Sequence, residues 1–461
     1  MHHPSSPFPR SRSRGAVLII ALLVAAFIAL VLGSYINLNL STARLANRSY
    51  CADAAFNLAE AGAEEALWSF NQAAAGSSSA WEGWRQSGSA AWQKFGGFDL
   101  TPNTTGWVKV YVDNNDLQSG LPPKIVTQAS VDPYGDAPVT KMLEITLQRR
   151  SPFAGGLVAK RYVSFQGTNT SVDSWDSNPD HNPATPAAPY SYSVRKDGGS
   201  VASTSVQNTA VQINQAHVWG YVATGGAPPQ VGHEGSVRGA STPADVQIDP
   251  ARISTDFNAA FPPVATPTDG TLLAPITTSM TLGFSGMTTR WRCPRVSLSD
   301  DDTLTIQGDV TLIITAAPGH RAIAITGRAG IVIPAGASLT LYVAGDVLIA
   351  GQGLANANAA PVSCLLWGTN QTEDGQKLQL AGKGALKVAL YAPVGEVTIN
   401  GNGDMMGSVV ADTITLTGNA AFHYDESLGV YGVNMPYGVA KWRELTTAAA
   451  RQPYASVFAG W

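Results

Sequence analysis

Between Gly15 and Ala43 the chain carries no charged residue, and the apolar heart of that stretch, Ala16 to Gly33, follows directly on Arg10, Arg12 and Arg14. A helix needs about 20 mostly apolar residues to cross the hydrocarbon core of a bilayer. A single transmembrane helix over 16–40, behind a basic leader of 1–15, is therefore expected. The arginines ahead of it favour a cytoplasmic N-terminus, with Arg44 and Arg48 on the far flank weakening that bias without reversing it. The rest of the chain then lies on the non-cytoplasmic side. A cleaved secretory signal has a shorter apolar region followed closely by a small-residue cleavage site, and neither condition is met here.

Beyond the apolar run, Phe56, Ala59, Ala63, Leu67 and Phe70 recur at spacings of three and four, with Glu60, Glu64 and Glu65 among them. That is the period of an amphipathic helix, so 41–71 reads as a helical extension of the anchor. One helix from Ala16 to Asn71 would be roughly 85 Å long at 1.5 Å per residue; the alternative is an anchor followed by a separate helix. A continuous helix, apolar in one half and amphipathic in the other, suits a subunit that packs lengthwise against others. Phe56, Ala59, Glu60 and Glu64 are the candidate assembly residues.

Gly15, after Arg14 and before Ala-Val-Leu-Ile-Ile, resembles a prepilin-peptidase site, with cleavage between Gly15 and Ala16. The run Ala54-Ala-Phe-Asn-Leu-Ala-Glu-Ala-Gly-Ala-Glu-Glu-Ala-Leu67 resembles the PilX-type N-terminal segment of type IV pilus assembly proteins, and the likeness covers residues 10–71. It implies a bacterial inner-membrane protein with a single span, pilin-like subunits as partners, and a periplasmic or extracellular C-terminal part. Major pilins carry Glu at the fifth mature position, where this chain has Ile20. The resemblance thus implies an accessory, minor subunit.

Residues 72–105, with Trp81, Trp84 and Trp92, read as a loop plus a short helix. The alternating segments Trp107–Val112, Lys124–Ala129 and Met142–Leu147 read as three antiparallel strands, separated by Pro122-Pro123 and Asp132–Asp136. A helix followed by such a meander makes 72–150 a small pilin-like α+β region.

From there one pattern returns: apolar, x, apolar, x, Gly. It occurs at Leu304–Gly308, Ile323–Gly327, Val347–Gly351, Leu378–Gly382, Val397–Gly401 and Ile414–Gly418, with a looser copy at Val163–Gly167. Strands this short do not make a hairpin core alone. Stacked one coil per repeat, each pairs in parallel with its copies above and below, which predicts an all-β parallel β-helix or solenoid over 151–435. The longer interval holding Asn356–Gly375 reads as an insertion looping out of the column, and 436–461 as a C-terminal tail. A β-sandwich is the competing fold. The segments Val172–Ser177, His217–Gly220, Ala421–Leu428 and Lys441–Leu445 resemble a β-helical domain found behind PilX-type segments in bacterial envelope proteins, one with no established activity.

Charged residues are only 13% of the chain, and the net charge of −4 offers no basic footprint for nucleic acid. Three cysteines, Cys51, Cys293 and Cys364, are too few for a disulfide framework. They read as small buried hydrophobes, with a Cys293–Cys364 pair as the alternative. No CxxC or HExxH occurs, and no cofactor is implied. Asp300, Asp301 and Asp302 form the densest acidic cluster and are weak candidates for calcium, which needs further oxygen ligands. Asp173, Asp176, Asp180 and His181 read as a solvated polar loop. Asp309, Asp346 and Asp404 recur at corners of the repeat, and repetition points to a structural role. The expectation is a non-enzymatic accessory pilin-like or pseudopilin-like protein displaying a β-helix for pilus assembly or surface attachment, with a surface polysaccharide or a host or other substratum as a further partner. The competing function is a membrane-tethered β-helix lyase or hydrolase, which would need acidic side chains converging in one groove.

Overall fold

The computed structural model describes residues 14–74, 77–115, 122–133, 137–149, 151–168, 170–180, 182, 185–350, 353–372, 375–382, 385–401, 403–419, 421–431 and 436–459. The chain forms two compact units, Met1–Gln148 with Pro436–Trp461, and Arg149–Met435.

In the first unit, helix α1 (Arg14–Ala74) is unbroken over 61 residues, about 90 Å at the α-helical rise. Every residue from Val17 to Tyr50 is exposed. The most apolar 18-residue window has a mean hydropathy of 3.0 and is 0% buried. By length and composition this half is able to cross a membrane, as a single-pass anchor would. The leader residues Arg10 and Arg12 lie outside the described residues, and Gly15 and Ala16 fall in the first turn of α1.

From Cys51 onward the helix has a buried face. Cys51, Ala55, Ala59, Ala63, Ala66 and Phe70 are all buried, three or four residues apart as a single helical face requires. They meet β3 (Thr104–Asp113) and β4 (Lys124–Pro133) of an antiparallel sheet. Small side chains let the helix approach closely. A Cβ at Gly62 would stand 2.8 Å from the Cγ2 atoms of both Val108 and Val110. Gly62→Ala gains about 0.8–1.0 kcal/mol of helix propensity but incurs overpacking of about 1–3 kcal/mol. A net loss of about 1 kcal/mol is expected, read as a lowered denaturant midpoint of the first unit; an unchanged midpoint would show that the two valines give way.

The sheet also contains β1 (Arg85–Ser87), β2 (Ala90–Thr101) and β5 (Val139–Arg149). The strand order is β1-β2-β3-β4-β5, followed by Tyr437–Glu444 at the far edge. Two sequence expectations change here. The short helix expected within 72–105 is absent among the described residues, which form a turn followed by β1 and β2. Trp81 and Trp84 are claimed by an edge-on aromatic chain, Phe70–Trp81–Trp84–Phe95, with centroid distances of 5.0, 5.3 and 6.3 Å. The C-terminal tail expected over 436–461 is, over its described residues 436–459, part of the sheet: Tyr437–Glu444 is the sixth strand, and Leu445 and Phe458 pack with Val126 and Met142 on the sheet face away from α1.

The second unit is largely β, a 22-stranded sheet built on parallel pairings. Each long strand stacks on the next: Met280–Cys293 on Thr303–Ile314, then Ser338–Val343, Cys364–Gly368, Leu386–Gly401 and Met405–Gly418. Alternate side chains point inward, as Leu339, Leu341 and Val343 do, into one continuous apolar core. Sharp corners need the left-handed backbone that glycine tolerates. Gly308 has φ +72°, and a Cβ there would stand 2.2 Å from the Phe284 carbonyl oxygen.

Stacking order differs from chain order. The first strand of the unit, β6 (Leu157–Phe165), lies on the last long one, Val409 against Leu157 and Leu416 against Phe165. Residues 199–203, 217–224 and 253–254 stack onward from β6. Residues 255–270 then leave the column, and the chain resumes at its opposite end. Phe257, Phe261 and Val264 on this strap pack over Leu365, Ala389, Tyr391 and Val410 on the outside of the column, where the Tyr391 hydroxyl donates to the Pro262 carbonyl at 2.9 Å. The expected insertion over Asn356–Gly375 is corrected, because this interval contains the column strand Cys364–Gly368, paired residue by residue with Leu339–Val343.

Candidate functional site

The polar cluster with the most buried charge in the second unit forms where β7 (Ser171–Trp175) lies beside Ala421–Asp425. Both strands alternate, so Val172 and Phe422 enter the core while Asp173 and His423, paired in register, point outward. Outward is not exposed here. Residues 185–198 fold back over this face, fixed by reciprocal backbone hydrogen bonds between Ser174 and Lys196 (3.3 and 2.7 Å) and by Trp175 Nε1 donating to the Ala188 carbonyl at 3.2 Å.

His423 Nδ1 lies 2.5 Å from Asp173 Oδ1, and both side chains are only 5% exposed. The Tyr190 ring stacks on the imidazole at 3.7 Å between centroids, while its hydroxyl donates to Asp173 Oδ2 at 2.9 Å. Arg195 Nε stands 3.0 Å from the same oxygen, its guanidinium 4.7 Å from the Trp219 ring centroid. Among the described residues, His423 Nε2 has no hydrogen-bond partner, and it is 3.7 Å from Asp404 Oδ2. Next to this core, Lys196 Nζ meets Glu426 at 2.9 Å and Asp176 at 3.4 Å. Asp425, fully buried, accepts from the Ser177 amide and hydroxyl at 3.0 and 2.7 Å, and burial pushes its carboxyl above the usual range.

Burial opposes a charge on His423, but the hydrogen bond to Asp173 and the carboxylate of Asp404 outweigh it and raise the pKa above the ordinary histidine value. Asp404 is held low, chiefly by His423. Burial and then the bond to Asp173 raise the Tyr190 phenol, keeping it neutral. A histidine whose pKa rises on folding contributes stability that is complete below the unfolded value of about 6.5 and is lost as pH climbs through the folded value. Asp404 contributes above its unfolded value and loses that as pH falls. Urea midpoints taken between about pH 5.5 and 8.5 should therefore decline toward the alkaline end, and His423→Gln should flatten the decline. An unchanged slope in the variant would remove His423 from this role.

The arrangement can hold a proton and clamp residues 185–198 to the column. With Tyr190 lying flat on the imidazole, it gives a bulky substrate no approach to His423. The expectation of a solvated loop fails for Asp173, which is on a strand and buried. It holds for Asp180, which caps a local turn through the Asn182 amide and the Thr185 hydroxyl. His181 lies outside the described residues. His423 was missed as a partner because it lies 250 residues from Asp173. The signal available was a lone polar residue at an outward position, Phe422-His-Tyr424.

The other candidates are spread out. Asp301 is held in a two-pronged pair by Arg328, and Asp302 accepts from the Ser279 amide and hydroxyl. Asp300 has φ +55° and accepts from the Ser299 hydroxyl. The three carboxylates do not converge, and among the described residues no group of three or more His, Cys, Asp or Glu could hold a metal ion. Asp309 accepts from the Ser338 hydroxyl at 2.6 Å, and Asp346 from the Lys377 amide at 2.9 Å, so these corner residues tie one coil to the next. Cys293 and Cys364 are free and buried. Three strand-to-strand steps of about 4.8 Å separate them, too far for a disulfide, and burial raises the Cys293 thiol to about 11 and the Cys364 thiol to about 12. In the first unit, Ala59 is buried on its own sheet and Phe56 meets Trp442 edge-on at 5.6 Å. Glu60 and Glu64 border a groove of about 200 Å³ lined by Ala63, Leu67, Ile145 and Trp442.

Residues 294–430 match a family described as a domain of unknown function (DUF7305). The matched stretch holds Asp404 and His423 but not Asp173. No curated protein matches the chain.

Proposed function

We propose that this chain is an accessory, minor pilin-like or pseudopilin-like protein of the bacterial inner membrane, which carries a parallel β-helix on the non-cytoplasmic side for pilus assembly or surface attachment. The observation that carries this reading is α1. Its first half is apolar and wholly exposed, and without a break its second half packs on an antiparallel sheet. A helix of that kind anchors a subunit in lipid and offers the same apolar surface to neighbouring helices in an assembly. The basic leader, Gly15, the Glu60 region and Ile20 fit a processed minor subunit. The stacked parallel strands, with apolar residues inward and corner aspartates linking coils, fit a β-helix as the displayed module.

The carbohydrate-active alternative needs acids poised together over a groove. Here Asp301, Asp302, Asp309 and Asp346 are each engaged locally, and Asp173 is covered by Tyr190. The test is N-terminal sequencing of the membrane-extracted protein from cells with and without a prepilin peptidase. An N-terminus at Ala16 only in the former supports the reading. Met1 intact in both would reduce the protein to a tethered β-helix.

A further inference from the structure

One face of the column bears a row of uncharged hydrogen-bonding side chains. In register, Gln379 stands beside Thr398, Thr398 beside Thr415, Thr415 beside Ser164, and Ser164 beside Gln212. Gln379 is exposed, and Thr398 and Thr415 are half-buried. The Ser164 hydroxyl donates to Gln212 at 3.2 Å. Among the described residues, Gln379, Thr398 and Thr415 have no side-chain hydrogen-bond partner. Neighbouring rungs are one strand spacing apart, about 4.8 Å, so the row runs along the column axis, across the strands.

The borders of the row narrow the choice of partner. Two residues back along the strands lie Lys377, Glu396 and Tyr162, with the Tyr162 ring 39% exposed. Arg161 pairs with Asp412 and reaches Glu396 at 3.7 Å, and Lys377 stands opposite Glu396 in register, so two cations and two anions balance on this flank. On the other flank are Asn400 and Thr417. Hydroxyls and amides donate and accept equally. The row has no excess of cations to hold a phosphate backbone, and the half-buried Leu348 beside Gln379 is too small an apolar neighbour to drive burial of a protein surface. A chain of sugar rings has the matching properties: evenly spaced hydroxyls along its length, no charge, and apolar ring faces that an exposed tyrosine can stack against.

We propose that this face binds an extended, uncharged polysaccharide lying along the column axis, its hydroxyls bonded to Gln379, Thr398 and Thr415 and one ring placed on Tyr162. The inference deepens the attachment role above and rests on the column being displayed. Full-length protein in detergent micelles would be tested for retention on insoluble cellulose, chitin and mannan, with alginate beads as the charged control. Wild type should be retained on at least one neutral glycan and not on alginate. The Thr398→Val/Thr415→Val pair, which keeps shape and β-branching, should lower retention about tenfold or more, and Thr415→Arg should abolish it. Should the arginine variant unfold in a melting experiment, the valine pair decides. Failure of all three neutral glycans, or retention unaffected by the valine pair, overturns the proposal. So does self-association lost in Thr415→Arg without glycan retention, which would assign the face to a second copy of the chain. Sequencing the N-terminus of the same preparation separates the two readings. Ala16 without glycan retention strikes only this inference, and Met1 with retention strikes only the pilin-like one.

Discussion

Phe165→Ala is expected to lower the stability of the second unit by about 3–5 kcal/mol, the usual loss for emptying a buried aromatic site. Phe165 is fully buried at the end of β6, level with Leu416. It sits on the seam where the first strand of the column meets the last long one, joining positions about 250 residues apart in sequence. Strands above and below hold the site open, so little collapse into the void is expected, which favours the upper part of the range. Contacts this distant in sequence pay their loop-closure entropy late in folding. Most of the loss should therefore appear as faster unfolding and little as slower folding. Denaturant-jump kinetics followed by tryptophan fluorescence, with Leu341→Ala as a mid-column reference, would measure both limbs. A loss below about 1 kcal/mol would mean the site collapses freely, and the seam would then be no firm closure.

The second large effect tests whether the exposed apolar half of α1 serves as a membrane span. Leu23→Arg combined with Phe27→Arg places two guanidinium groups near the middle of the exposed apolar half of α1. Each costs about 2.5–3.5 kcal/mol at the centre of a membrane span, so together they forfeit roughly 5–7 kcal/mol of insertion free energy. The double variant should pass from the carbonate-resistant membrane fraction to the soluble or degraded fraction. Leu40→Arg is the control, because an arginine near the end of a span can extend its head to the interface. Continued carbonate resistance of the double variant would show that this helix is not what holds the protein in the membrane.

The sequence made some of this structure readable and hid the rest for identifiable reasons. Helix α1 was legible because an uncharged run and a 3.6-residue period are local signals, here continuous from Arg14 to Ala74. Stacked parallel strands were legible because the apolar-x-apolar-x-Gly unit repeats. Their order was not: nothing in a repeat says that β6 lies on Met405–Gly418, or that 255–270 carries the chain to the other end. The tryptophans at 81 and 84 imitated a helical period while answering to Phe70 and Phe95. Asp173 looked like part of a solvated stretch because Ser, Pro and Asp follow it, and only the return of 185–198 over the strand buries it. His423 and Asp173 meet through register across neighbouring coils, a relation that no spacing in the chain encodes.

The second unit is inserted between two adjacent strands of one sheet, β5 and Tyr437–Glu444. A protease that cuts near residue 150 leaves the column covalently joined to Tyr437–Glu444, which β5 holds by strand pairing and by the paired 2.9 Å bonds from Arg443 to Glu144. A cut near 433 leaves it joined through β5 to the unit that carries α1. Shedding the column therefore takes two nicks, or one nick and the melting of a sheet. A head carried on a single stalk would be lost at the first cut.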